Sequence, residues 1–364
     1  MVPIIRKKVG DKMAFYKSAE DYYKEMTSTI TDVDTSEHSL IYAALMPACY
    51  ELSYQSLMLD EVTKRVFAKS ALENGYYDDL KNRCLEMGIE QKLATIATGT
   101  VKVIGKINSK LPSGALVSTT LGITYSTQSD VIINSEGVGY TGIIASDKGS
   151  KYNADVGVVS LLPVKYEGIY GVTNEEKIDN GYDIETPEAL YNRYLLKIQT
   201  PATSGNKYHY EQWALEVTGV GFAKCIPGAG NVKVIIANSN KRAANDELIK
   251  EVYSHINEVR PILAGTLTVV TVKEITINIT ANVEIDSSVI LGDVQNIFAS
   301  AAKEYLSNKV YTTKKVSLAK LGGILVDIDG VVDYAELKIN NGTSNITLGD
   351  EEIAVIGSVS LGVI

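Results

Sequence analysis

The sequence predicts an α+β protein of several modules: an N-terminal helical module, a β-rich middle domain and a C-terminal α+β domain with a largely antiparallel sheet. Three observations carry this. Apolar residues recur at helical spacing from about Ser18 to Gly88, short β-branched runs broken by Gly, Ser and Asn fill Ala94 to about Gly181, and helix and strand patterns alternate beyond it. The expected boundaries are 1–90, 91–181 and 182–340, with 341–364 a C-terminal strand extension. A chain of 364 residues has ample material for buried cores in each module.

In the first module, Tyr22, Met26 and Ile30, then Leu40, Ala43, Ala44, Ala48, Leu52, Leu57 and Leu59, recur at spacings near three and four with few Gly or Pro between them. Asp34-Thr35-Ser36-Glu37 reads as an N-cap cluster between two helices, and Gly75 and Gly88 punctuate the end of the bundle. In the middle domain the expected strands are Val101 to Ile104, Ala115 to Thr120, Val131 to Asn134, Val138 to Ile144 and Val156 to Leu162. Pro112-Ser113-Gly114 is the turn before the second of them.

The third module opens with two helices. Thr186 caps the first, Pro187 takes the position where a missing N–H costs nothing, and Glu188 meets the positive end of the helix dipole. Leu190, Tyr191, Tyr194, Leu195 and Ile198 share a face, and Pro201 ends the helix. The second follows Ser204-Gly205-Asn206, buries Tyr210, Trp213, Ala214 and Val217, and stops at Gly219, where a left-handed C-terminal cap is wanted. A hairpin of Gly221 to Ile226 and Asn231 to Asn238 turns at Pro227-Gly228-Ala229-Gly230. A helix from Asp246 to Val259 follows, capped by Asn245. From Ile275 to Ile285 every odd position is apolar and every even one polar, which is a strand with one buried face. Helices near Leu291 to Leu306 and Ser317 to Val326, and strands around Val331 to Ile339 and Ile353 to Ile356, complete the pattern.

Composition narrows the function. The net charge of −9 argues against sequence-independent phosphate binding, so nucleic acid is not an expected partner. No stretch is apolar for long enough to span a membrane, and the first residues lack the apolar core of a signal peptide, so no membrane insertion is expected. Cys49, Cys84 and Cys225 are too far apart for a close-spaced metal or redox pair and read as buried thiols. The 22 tyrosines against four phenylalanines suit positions half inside a core or an interface.

Chemistry-bearing motifs fail on context. Gly137-x-Gly139-x-x-Gly142 matches a dinucleotide fingerprint as a string, but strand-like residues follow where a helix is needed, so these glycines serve a hairpin or bulge. His38, His209 and His255 have no ligand spacing, and Ser317-x-x-Lys320 lacks the companion motifs of a serine acyl-enzyme and reads as a capped helix start. No catalytic, cofactor-binding or metal residue is assigned and no cofactor is expected.

The segment from Glu185 to Val220 carries a family resemblance. Glu185-Thr186-Pro187-Glu188, the bend from Pro201 through Ser204-Gly205-Asn206, and Trp213-Ala214-Leu215-Glu216-Val217-Thr218-Gly219-Val220 resemble the helix start, bend and helix end of the baseplate J-like family, the wedge proteins of contractile phage tails and phage-tail-like bacteriocins. Gly149 to Ala154, Gly168 to Asn174 and Gly181-Tyr182-Asp183 resemble the family's lead-in, although a shorter Gly-x-Gly-Asn is commoner at the first of these. The resemblance implies a non-enzymatic wedge subunit that links hub and sheath and transmits the change of baseplate shape that triggers contraction. It implies assembly in the bacterial host cytoplasm and residence in the baseplate of the released particle. The implied partners are a second copy of the chain within each wedge, a second wedge protein and a small lysozyme-like-fold subunit next to the sheath. The motif residues would then belong to the assembly region, with Trp213 either a core anchor or an interface hot spot. The rival readings are a tail-tip cell-wall hydrolase, needing paired carboxylates in a cleft, and a receptor-binding tail protein, which would usually show repeats.

Overall fold

The computed structural model describes residues 14–200, 205–261, 265–309 and 314–364. They form two compact units, one of Met1–Gln91 with Thr186–Leu195, the other of Lys92–Glu185 with Leu196–Ile364.

The first unit is helical, as expected. It contains α1 (Ala19–Thr27), α2 (Leu40–Val66), α3 (Ala68–Glu73) and α4 (Tyr77–Leu85), with the first part of α5 (Pro187–Gln199). The cap of α2 is Ser39, whose side chain accepts from the N–H of Tyr42. The Asp34 to Glu37 cluster does a different job: the Asp34 carboxylate accepts from the N–H of Ser36 at 2.9 Å and closes a turn, which holds its pKa below the usual carboxylate range. Helix α2 buries Met46 and Cys49, with Tyr42 and Leu45, against Ala19 and Tyr23 of α1. Farther along the same face, the buried Asp60 carboxylate accepts from the N–H groups of Ala14, Phe15 and Tyr16 at 2.8, 3.1 and 2.9 Å, and Ser56 accepts from Lys17. Leu40, Ala43, Ala44, Ala48 and Leu59 face solvent. A second small core gathers Ala68, Ala71, Leu80, Cys84 and Ile89 around Leu190 of α5.

The middle domain is a nearly closed antiparallel barrel. Its strands are β1 (Ile96–Gly105), β2 (Lys110–Leu111), β3 (Leu116–Thr119), β4 (Thr124–Thr127), β5 (Val131–Ile132), β6 (Val138–Lys148), β7 (Val159–Leu161) and β8 (Ile169–Thr173). The main sheet runs β7-β3-β4-β6-β1-β8, and β2 pairs with β5 beside it. Between the end strands a side chain replaces the ladder. Asn174, fully buried, accepts from the N–H of Val159 at 2.9 Å and donates to the carbonyls of Asp155 and Glu176. Val101, Val103, Val117, Tyr125, Ile133 and Ile143 fill the interior. The glycine triplet sits in a hairpin. Gly137 has φ +80° in the turn, and Gly139 lies in β6 where an added Cβ would come within 2.4 Å of Val131.

The remainder is α+β. It comprises α6 (Lys207–Glu216), β9 (Val220–Gly228), β10 (Asn231–Asn238), α7 (Asp246–Val259), β11 (Thr266–Thr271), β12 (Lys273–Ile285), α8 (Leu291–Lys309), β13 (Lys315–Val316), α9 (Leu318–Val326), β14 (Val331–Ile339), β15 (Ile346–Thr347) and β16 (Glu352–Val363). The strands divide between two three-stranded sheets, β11-β10-β9 and β14-β12-β16, and β13 pairs with β15 apart from them. Each three-stranded sheet has one antiparallel and one parallel pairing. Strands β10 and β11 are parallel because the single helix α7 crosses between them, whereas β12 reaches its parallel partner β16 only after α8, α9 and the antiparallel strand β14. Helices α6 and α7 cover one face of the first sheet, and α8 and α9 cover one face of the second. Residues Val234 to Asn238 of β10 are buried on both sides, the outer side against Val272, Ile353 and Val355. On β12, Ile277, Ile279, Ala281 and Val283 face the core with Val294, Phe298 and Leu325, and Ile275 and Ile285 flank them half-buried, as the alternation predicts.

Candidate functional site

Within the second unit, the lead-in residues and the end of the signature helix converge on one joint between the barrel and the first α+β sheet. Asn153 and Gly181 exchange hydrogen bonds of 2.9 Å in both directions. Asp183 accepts from the N–H and hydroxyl of Ser150, at the start of a single 3-10 turn, Ser150–Tyr152. That turn begins at Gly149, whose φ of +114° and 2.8 Å clearance to the Asp183 carboxylate leave no place for a side chain. Tyr182 is the wedge. Its ring lies in the core with Val217, Val220 and Ala214, burial pushes its hydroxyl pKa up to about 12, and a Cβ on Gly219 would come within 2.5 Å of it.

Gly219 has φ +94°, the left-handed end that the sequence asks for, and Val220 begins β9. Asn206 caps α6 by accepting from the N–H of His209 at 3.0 Å, while Gly205, at φ +73°, donates its N–H to Nδ1 of His209. Trp213 is half-buried, stacked on His209 at 4.5 Å and edge-on to Tyr210 at 5.2 Å. It therefore anchors the helix while leaving part of its indole exposed. Glu216 pairs with Nε2 of His255 on α7 at 2.8 Å. Thr186 accepts from the N–H of Ala189 and starts α5 with Pro187 and Glu188 in its first turn. Pro201 and Ser204 lie outside the described residues.

Sequence reasoning missed Lys92. Its backbone and Glu185 exchange hydrogen bonds, the Glu185 N–H to the Lys92 carbonyl at 2.9 Å and the Lys92 N–H to the Glu185 carboxylate at 3.1 Å. The Lys92 ammonium then donates to the carbonyls of Val217 and Val220, both at 2.9 Å. The cation thus bridges the C-cap of α6, where the helix dipole is negative, to the first residue of β9. The partners are more than a hundred residues away in sequence, and no local pattern marks the lysine. Asn240 and Asn245 add further bonds across the joint, to the Gly181 carbonyl and the Asp179 carboxylate.

Beside the joint lies a polar cleft of about 570 Å³. Two of its cations are paired: Arg242 makes a two-pronged ion pair with Glu274 at 2.7 Å, which holds the Glu274 carboxyl below the usual carboxylate range, and Lys177 stands 3.6 Å from Asp155. Among the described residues no group of three or more His, Cys, Asp or Glu is placed to share a metal ion. The three cysteines are buried, and burial pushes the Cys225 thiol up to about 11, so it is protonated at neutral pH. No described helix is long and apolar enough to cross a membrane.

The chain is thus a barrel followed by two three-stranded α+β sheets, each covered by helices, and family models match it in the same three parts. Models of the baseplate J-like barrel domain, central domain and C-terminal domain match residues 98–181, 202–271 and 277–362. The chain belongs to the baseplate J-like family and is a structural protein of a phage or prophage tail baseplate. It is 29% identical to the phage-like element PBSX protein XkdT of Bacillus subtilis over 92% of this chain and 94% of that one. It is also 29% identical to baseplate protein gp47 of Escherichia phage Mu, over 45% and 47% of the two chains. A chain of the anti-feeding prophage baseplate shares 15% identity with a TM-score of 0.37, over 93% of this chain and 89% of that chain.

Proposed function

We propose that this protein is a wedge component of a contractile tail baseplate, linking hub to sheath and passing on the change of baseplate shape that triggers contraction. The carrying observation is the succession of three baseplate J-like domains in one chain. The joint supports it, because signature residues Glu185, Val217, Gly219 and Val220 meet there with Lys92 and Tyr182. Interfaces of packed subunits have discrete alternative arrangements, and a subunit with a stiff internal joint carries a displacement from one interface to another.

The role is mechanical and not enzymatic. The partners are a second copy of the chain, a second wedge protein and the small lysozyme-like-fold subunit beside the sheath. The helical module at 1–90, the barrel at 91–181 and the α+β part at 182–340 divide the contacts, with the last forming the ring. The protein assembles in the bacterial host cytoplasm and leaves in the baseplate of the released particle.

The test is a null allele in the producing strain, complemented by the intact gene. Electron microscopy should show particles without intact baseplates in the null and contraction-competent particles on complementation. Intact, contracting particles from the null strain would remove the wedge role. Clearing of purified peptidoglycan by the isolated protein would overturn the non-enzymatic reading.

A further inference from the structure

The two α+β sheets meet through the last strand of the chain. Each sheet has its own helix-covered core, with Val234 and Ile236 facing α6 and α7 in the first, and Ile277 and Ile279 facing α8 and α9 in the second. A single residue, Val272, links β11 to β12, and its N–H donates to the Ile236 carbonyl at 3.0 Å. The start of β16 lies across the outer face of the first sheet, where Ile353 and Val355 pack with Ile235, Ala237 and Val272. This shared apolar patch is far smaller than either sheet's own core, and carboxylates close it at both ends.

At one end stands the run Asp350-Glu351-Glu352. Three consecutive carboxylates repel one another unless cations intervene, and here each has a lysine. The Lys233 ammonium, from β10, lies 2.7 Å from both oxygens of Glu351. Asp350 stands between Lys314 and Lys224 of β9, the latter at 3.6 Å, while Glu352 pairs with Lys273 at 3.4 Å. Lys273 and Lys314 belong to the domain of the second sheet, whereas Lys224 and Lys233 reach over from the first. At the other end Glu274 of β12 takes the Arg242 fork and, at 2.8 Å, the N–H of Ala243, both from the loop after β10.

We propose that these pairs form an ionic clasp: Lys233–Glu351 and Lys224–Asp350 at one end and Arg242–Glu274 at the other hold the two α+β domains as one body, and opening them lets the domains move about Val272 with both cores intact. Separate cores mean that neither sheet needs the other to stay folded, and the family models divide at the same place, 202–271 and 277–362. Between domains of one chain, relative motion is the default unless the contact is large and apolar. This contact is apolar but small, so the charges around it decide. One exposed ion pair would contribute little, but several charges fixed around a dry patch act as a network. Their place at the rim leaves them open to screening, which makes ionic strength the lever.

The test uses the full-length protein with nitroxide labels at two exposed helix positions, Lys250→Cys on α7 and Asn296→Cys on α8, and reads the distance distribution between them by pulsed electron resonance. The native Cys49, Cys84 and Cys225 are buried and leave a low background. The expected result is one narrow distribution at low salt. It should broaden roughly two-fold in about 1 M salt, where the screening length is about 3 Å, and equally in Lys233→Glu, which sets a carboxylate against Glu351. Reversing the pair, Lys233→Glu with Glu351→Lys, should restore the narrow distribution. A distribution already broad at low salt overturns the proposal, and so does one that stays narrow under either treatment or broad in the reversed pair. Hydrogen exchange on the same samples separates motion from unfolding, since β10 and β12 should stay protected throughout. Loss of that protection in Lys233→Glu would make the lysine a support of one core and would also overturn the clasp. Every one of these outcomes leaves the baseplate role standing, because that role is read from particles and this one from purified protein.

Discussion

Strand β12 and helix α2 are both long and rich in apolar residues, yet the chain treats them in opposite ways. Along β12 the apolar residues fall on one side only, and that side is sealed by α8 and α9. Around α2 they fall on two sides, one closed by α1 and the other open. A strand's side chains alternate strictly, so a period of two names the buried face without ambiguity. A helix that is apolar most of the way round does not, because its periodicity fits more than one stripe. What chooses the inner face of α2 is polar: Asp60 and Ser56 hold the backbone of residues 14–17, and the apolar side chains follow.

Substitutions can break that contrast in graded steps. Ile279→Asp places an unpaired charge in the core of the β12 sheet and should cost about 3–5 kcal/mol, read as a large fall in the denaturant midpoint. A near-native midpoint would mean that β12 does not carry that core. Gly219→Ala forces a Cβ against Tyr182 at a positive φ and should cost about 2–3 kcal/mol. Its melting curve should show the loss, and an unchanged curve would show that the ring can move aside. On the inner face of α2, Asp60→Ala frees three backbone N–H groups and should cost about 1–2 kcal/mol. Hydrogen exchange should rise at Ala14 to Lys17 and stay constant on β12; uniform protection of both would count against the carboxylate as the organiser of that face. Leu59→Glu on the outer face should change the stability of the isolated chain by less than about 0.5 kcal/mol. A larger drop in the monomer would show that this face is already covered.

Much of the α+β portion was legible because its cues are local. Asn245, Ser317 and Thr186 cap the helices they precede, and β14 and α7 have the limits that their flanking residues suggest. Strand β4 was not legible: Thr124-Tyr125-Ser126-Thr127 is only four residues long with a single large side chain, too short to show an alternation, and its place is set by Tyr125, which is buried in the barrel with its hydroxyl donating to the Tyr152 carbonyl at 2.7 Å. The parallel pairings were hidden for the same kind of reason, since hydrophobic alternation fixes a strand's face and says nothing of its neighbour's direction. In the joint, the motif showed Gly219 as a helix stop, but neither its contact with Tyr182 nor the reach of Lys92 has a signature in nearby residues.

The parallel pairing of β12 with β16 has a kinetic consequence. Between the two strands the chain makes α8, α9 and β14, so the ladder from Lys273 and Glu352 onward closes only after all of these have been brought to hand. Contacts this distant in sequence form late and slowly, because the loop must lose its freedom before the strands repay it. Until then β12 offers the Ile277 and Ile279 face with one edge unpaired, a template for strands of other molecules. Refolding yield should therefore fall as protein concentration rises, and the last protection to appear on β12 should be on the side that receives β16.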